Sequence, residues 1–324
     1  MKFSNEMIKP VIGKMYKEEV EILSFNINEN KDGTLGEIYL ISGECKTSAE
    51  KLNYDIALKI QKKWSRFGDP ESWLREKNIY ESELVQEIGE LLPKAILIEE
   101  KDDKIWIWME KAEGNHDRNL SVRDYGRIAS EIGRLHGKFI DNLPTYSWLS
   151  DKYWIVKTIN IWSGDAVNWL KDNEILSKEC TSNLLDAWEN REEHIDFLLS
   201  MAKTLCHRDL TPGNVFVGDK VSIIDWDSAG IGIIGEDIAD LFAEALVYYD
   251  FDIYKAFDLE QTLITNYYKS LRDYGIKLED IKKVFKLYLL LNWSYRIICI
   301  STRSDEATTK RYVKILEYIS SRND

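Results

Sequence analysis

At 324 residues the chain is long enough for one large domain or two lobes with full cores. Its 44% hydrophobic and 12% aromatic content describe a folded globular protein and exclude a disordered or fibrous one. A formal net charge of −13 argues against nucleic acid as the main ligand, because phosphate backbones demand a basic face, and is compatible with a cationic partner.

In chain order, the first elements read as strands. They fall at 21–28, 37–41 and 55–60, with a turn at 30–33. A breaker at 68–70 precedes a helix over 71–90, whose Trp73, Leu74, Ile79, Leu84 and Ile88 are spaced for one face and which ends at Pro93. Two strands follow at 95–98 and 105–109. After Gly114 the character changes. Ser121 opens a helix to about Ile140 with Asp124 placed for a capping box, and most of 153–203 reads as helices. From Glu236 the chain is helical nearly to its end, with breaks near Asp250 and Gly275. The pattern predicts a small β-rich lobe and a larger helical lobe, with a nucleotide expected in the cleft between them.

The segment 206–227 interrupts the helices and carries the chemistry. It places a His-Arg-Asp-Leu-Thr-Pro-Gly-Asn loop before a short hairpin, with β-prone runs at 215–217 and 221–224 joined by Gly218-Asp219. The hairpin is expected to fold Asn214 back beside Asp225, giving the oxygen donors that Mg²⁺ needs. Asp209, kept on an exposed loop by Pro212 and Gly213, is the candidate base for a hydroxyl proton.

Further residues fit a phosphoryl-transfer site. Lys59, in Ile-Ala-Leu-Lys-Ile, is costly to bury unpaired, so it needs an acidic partner while it holds phosphates. Glu76 is the chosen partner, with Glu81 and Glu83 as competitors. Gly36, in Thr-Leu-Gly-Glu, suits a loop over phosphates but belongs to no full glycine-rich motif. The 109–114 linker can offer the Glu110 carbonyl and the Ala112 N–H to an adenine edge. His136 and His207 read as structural histidines.

These residues together resemble the aminoglycoside phosphotransferase and choline kinase-like superfamily, which has the protein kinase-like fold. The resemblance runs from about Gly33 to Leu241 and is specific at 207–214, at Ile-Asp-Trp-Asp (224–227) and at Glu-Asp-Ile-Ala-Asp-Leu (236–241). It implies an α+β, bilobal architecture, with a nucleotide-binding N-lobe at 1–110 and a helical C-lobe at 111–324. It also implies Mg²⁺-dependent transfer of the γ-phosphate of ATP, or of GTP, to a small-molecule hydroxyl. Asp209 is then the base, Asn214 and Asp225 are the metal ligands, and Ile224 joins Lys59, Glu76, Gly36, Glu110 and Ala112 in the nucleotide-binding set. The sequence departs from the family at Arg208, where glycine is usual, as in protein kinases. Yet Asp225 and Asp237 are too close for a phosphorylatable activation segment, and Trp-Asp, not Phe-Gly, follows Asp225.

Among acceptors, an aminoglycoside-like or other aminated antibiotic is the first expectation, with Asp227, Glu244 and Asp250 as acidic groups that would meet it. Choline, ethanolamine, an amino sugar and homoserine are the alternatives. A nucleotide-binding pseudokinase scaffold is a rival that the complete set Lys59, Asp209, Asn214 and Asp225 opposes. A hydrolase built on Cys206 and His207 is opposed because adjacent residues of an extended segment point apart. The four cysteines are widely separated, which suggests neither a zinc site nor a disulfide framework. No apolar leader is visible, and the longest apolar run, around 287–291, is too short for a bilayer. A cytoplasmic monomer or homodimer without membrane or nucleic-acid partners is expected.

Overall fold

The computed structural model describes residues 2–30, 36–64, 71–150, 164, 166–172 and 175–321. The chain divides into two compact units, Met1–Gly114 with Ser222–Asp227, and Asn115–Val221 with Ser228–Asp324. The short run around Asp225 thus returns to the first unit, which a single boundary near residue 110 does not anticipate.

The first unit is built on an antiparallel sheet of β1 (Glu21–Asn30), β2 (Gly36–Lys46), β3 (Lys51–Lys62), β4 (Ala95–Lys101) and β5 (Lys104–Glu110), in the order β1-β2-β3-β5-β4. Alternation along β3 sends Tyr54, Ile56, Leu58 and Ile60 to one face. There they pack with Trp106, Trp108 and the buried Ile8, Val11 and Ile12 of α1 (Asn5–Tyr16). Lys59 falls on the opposite register. On the second face Ile105, Ile107 and Met109 gather Ala57, Trp73, Leu74 and Tyr80.

Two elements differ from the sequence reading here. Helix α1, ahead of the predicted strands, is an element that the sequence reading does not assign; Pro10 inside it masks the helical signal. The helix expected over 71–90 is broken into α2 (Arg75–Glu81) and α3 (Leu84–Ile88) by Ser82, whose backbone is extended. The breaker at 68–70, residues 31–33 of the expected turn and residues 34–35 of the expected phosphate loop lie outside the described residues.

The second unit is mainly helical. Its α4 (Val122–Phe139) starts at a capping box, Ser121 accepting from the Asp124 N–H and Asp124 from the Ser121 N–H. Helices α5 (Lys178–Glu189) and α6 (Arg191–Ser200) lead to a strand, β6 (Lys203–Cys206), that the sequence reading does not assign. The hairpin strands β7 (Val215–Val217) and β8 (Val221–Ile223) follow at the expected place, and β9 (Gly230–Ile233) pairs antiparallel with β6. The remainder runs through α7 (Glu236–Val247), α8 (Ala256–Leu271), α9 (Leu278–Tyr288), a π-helical turn Leu289–Trp293, α10 (Ser294–Ser301) and α11 (Glu306–Ser320). Among the described residues no helix is long and apolar enough to cross a membrane.

Candidate active site

In the first unit a partly buried charge cluster forms around Lys59. Its Nζ lies 2.5 Å from Glu76 Oε2, 2.5 Å from Asp225 Oδ1 and 4.0 Å from Asp227 Oδ2. Glu76 is 1% exposed, whereas the competitor Glu81 turns away and pairs with Lys77 at 2.8 Å. Burial pulls the Lys59 ammonium down, but Asp225, Glu76 and Asp227 outweigh it and hold its pKa well above the usual lysine value.

Asp225 has φ of 66°, a left-handed conformation that costs a non-glycine residue about 1 kcal/mol or more. Asp227 is 5% exposed and sits in the Lys59 cluster rather than at a surface where an acceptor would meet it. Its carboxyl is pushed up to about 8, first by burial and then by the charge of Asp225. Arg75, which the sequence reading missed, is fully buried beside Glu76 and donates from Nη1 to the Asp227 carbonyl at 2.9 Å. That bond ties the Asp225–Asp227 backbone to α2. At sequence level only its adjacency to Glu76 marked it.

The remaining nucleotide-site candidates of this unit are spread along the sheet. Gly36 opens β2 opposite Gln61, where a Cβ would meet the Ile60 carbonyl oxygen at 2.8 Å, so close backbone approach requires the glycine. Glu110 ends β5 and its N–H donates to the Lys94 carbonyl; Ala112 follows, half-buried. Ile224 is half-buried immediately before Asp225.

In the second unit Asn214 Nδ2 donates to the Asp209 carbonyl at 2.9 Å and to its carboxylate at 3.4 Å. Asp237, fully buried at the start of α7, anchors this loop from below. Its carboxylate accepts the His207 N–H at 2.8 Å and the Arg208 N–H at 2.8 Å. His136 Nε2 contacts the same carboxylate at 3.1 Å and Nδ1 contacts the Tyr267 hydroxyl at 2.6 Å. His136, Cys206 and Asp237 bring ligand-type atoms within 4.8 Å of one another. Because Asp237 and His136 already spend those atoms on hydrogen bonds, the trio is an anchor and not a metal centre. Cys206 is fully buried and burial pushes its thiol well up, which opposes the hydrolase alternative. Glu244 lies 4.0 Å from Arg296, and Asp250 pairs with Arg118 at 3.1 Å and with Arg311.

A profile of the phosphotransferase enzyme family (APH) matches residues 66–261, more than half of the chain. The chain belongs to that family. No curated protein compared with the phosphotransferase matches it. Its fold is shared with a choline kinase from Cryptosporidium parvum Iowa II, at TM-score 0.60 and 16% identity, over 98% of this chain and 97% of that one. An aminoglycoside phosphotransferase from Alicyclobacillus acidocaldarius superposes with TM-score 0.59 at 13% identity, covering 92% and 90% of the two chains. An amicoumacin kinase in complex with AMP-PNP, Ca²⁺ and Ami does so with TM-score 0.55 at 16% identity, covering 98% and 94%. The phosphotransferase is thus an enzyme of α+β, kinase-like architecture, with a five-stranded antiparallel sheet in one unit and a mainly helical second unit.

Proposed function

We propose that the enzyme transfers the γ-phosphate of ATP, or of GTP, to a hydroxyl of a small molecule, and that the acceptor is an aminoglycoside-like or other aminated antibiotic. The observation that carries the reading is Lys59 held between Glu76 and Asp225, because a lysine kept charged and fixed in a partly buried cluster is prepared for phosphate oxygens. Glu76 orients Lys59, while Gly36, Glu110, Ala112 and Ile224 supply the rest of the nucleotide-binding set.

Asp225 and Asn214 are the groups that would hold Mg²⁺. The donors are all oxygen, and three carboxylates stand against one lysine in the Lys59 cluster, so the residues fit a hard divalent cation. The Asn214 amide nitrogen is spent on Asp209, which leaves Oδ1 as its ligand atom. When bound, the cation neutralises charge on the phosphates. Asp209 accepts the acceptor's hydroxyl proton and orients the oxygen for in-line attack; Lys59 fixes the phosphates. Catalysis is positioning and charge compensation, with little covalent work for the protein.

A metabolite kinase acting on choline, ethanolamine, an amino sugar or homoserine is the second reading, favoured by the fold shared with a choline kinase. A nucleotide-consumption screen decides between the two, run with ATP and with GTP over aminoglycosides, other aminated antibiotics, choline, ethanolamine, amino sugars and homoserine. Turnover with an aminated antibiotic that disappears in Asp209→Ala supports the first reading. Turnover confined to one of the metabolites supports the second, and no turnover with any acceptor would favour a scaffold.

A further inference from the structure

Arg208 stands between His207 and Asp209 with φ of 63°, a left-handed conformation that glycine takes without cost. Arginine there must offset a backbone penalty. Its side chain shows how. The residue is only 8% exposed, and its guanidinium donates from Nε to Glu236 Oε1 at 3.3 Å, from Nη1 to the Ser150 carbonyl at 3.3 Å and from Nη2 to the Ile231 carbonyl. Glu236 is 3% exposed, and its other oxygen accepts the Ile233 N–H at 3.1 Å.

Strand β9 is cut to fit this pair. A Cβ at Gly230 would run into Arg208 Nη1 and lie 2.5 Å from the Ser150 carbonyl oxygen. One at Gly232 would run into Glu236 Oε1 and lie 2.7 Å from Cys206 Sγ. Arg208, Gly230, Gly232 and Glu236 therefore form one interlocked arrangement. Both ends of the Asp209 loop's entry are fastened, the backbone to Asp237 and the Arg208 side chain to Glu236 and β9.

We infer that Arg208 and Glu236 form a buried strut that positions Asp209, fixing the loop by the chain's own carboxylate. The guanidinium is enclosed and engaged from three sides, so it is no landing place for an added anion, and the loop is set by folding alone. Arg208 and Glu236 are positioning residues, acting on the reaction through Asp209. The inference rests on the proposed role of Asp209, and the test separates the two.

The experiment uses the full chain with Arg208→Gly, Glu236→Gln and the double substitution. Hydrogen exchange of peptides covering 205–215 reads the loop directly. Each single change is expected to speed exchange there about tenfold, with the double no faster than the worse single, as for one shared network. With an acceptor found active, Arg208→Gly lowers kcat about tenfold while KM for the nucleotide stays within about twofold, a split that general loss of stability would not give. Wild-type loop exchange and kcat in folded Arg208→Gly, or single effects that simply add, overturn the strut. If Arg208→Gly does not fold, Arg208→Lys and Glu236→Gln carry the same comparison. If the unaltered enzyme shows no turnover above Asp209→Ala, the catalytic reading fails, and the exchange coupling still decides the strut.

Discussion

The Asn214 side-chain amide donates to both the backbone carbonyl and the carboxylate of Asp209, at 2.9 and 3.4 Å. The proposed base and the proposed metal ligand are thus held by one another. Asp209→Asn removes the proton acceptor while the Asn214 bond to the backbone carbonyl remains. Turnover is expected to fall by about 10²- to 10⁴-fold, with nucleotide affinity by calorimetry nearly unchanged. Near-normal turnover in a folded Asp209→Asn enzyme would remove Asp209 from the mechanism.

Lys59→Met leaves Glu76, Asp225 and Asp227 facing one another without their cation. A loss of about 3 kcal/mol or more is expected in urea denaturation, because breaking a buried pair strands its partners. The Lys59 pKa is held above the ordinary lysine value. Its contribution is therefore fully present below about pH 10 and is lost only as pH rises through the native value. Because the Asp227 carboxyl beside Lys59 is pushed up to about 8, the deficit of Lys59→Met should deepen as pH rises through that value and the third carboxylate ionises without its cation. Nucleotide affinity should fall with it, and a variant that loses stability but binds nucleotide normally would confine Lys59 to a structural role.

The sequence makes some of this legible and hides the rest for physical reasons. Lys59, Asp209, Asn214 and Asp225 stand out because polar groups in apolar strands and beside turn residues carry local signals. The choice of Glu76 over Glu81 is also local, since only Glu76 lies on the α2 face turned to Lys59. Arg75 and Asp237 are different. Each acts through a backbone group far along the chain, Arg75 on Asp227 and Asp237 on His207 and Arg208, and no spacing rule connects such positions. Strands β6 and β9 are hidden likewise, because their pairing is non-local and Gly230 and Gly232 lower the strand propensity of β9. Burial of Asp227 is hidden because the Lys59 and Glu76 that surround it lie far along the chain, so on its own the carboxylate reads as a group that would meet the acceptor.

Asp237 sets the acid limit of the loop. Burial raises its pKa, but the hydrogen bond from His136, the nearby His207 and the Arg208 N–H bring it below the usual carboxylate value. A depressed native pKa contributes stability above about pH 4 that is lost as pH falls through the native value. Asp237→Asn is therefore expected to cost about 3 kcal/mol at neutral pH, since it weakens charge-assisted bonds and orphans a buried donor. The gap to the unaltered protein should narrow as pH drops below about 4. Urea titrations at a series of pH values measure it, and a gap that stays constant with pH would assign the loss to packing instead of charge.

Gly213 gives the sharpest steric test of the loop. A Cβ there would lie 2.5 Å from the Tyr249 hydroxyl oxygen, which itself donates to Thr211 Oγ1 at 3.3 Å, and 3.3 Å from the ring carbon bearing that hydroxyl. Gly213→Ala must push the tyrosine away and break its bond to the loop, at an expected cost of about 1–3 kcal/mol. Tyr249→Phe alone removes one partly buried hydrogen bond and should cost about 1 kcal/mol. In the double variant the clashing atom is gone and the new methyl meets only the ring edge, so the two costs should fall well short of adding. Denaturation of the four proteins closes the cycle. Strict additivity would mean that Tyr249 moves aside without strain and does not brace the Asp209 loop.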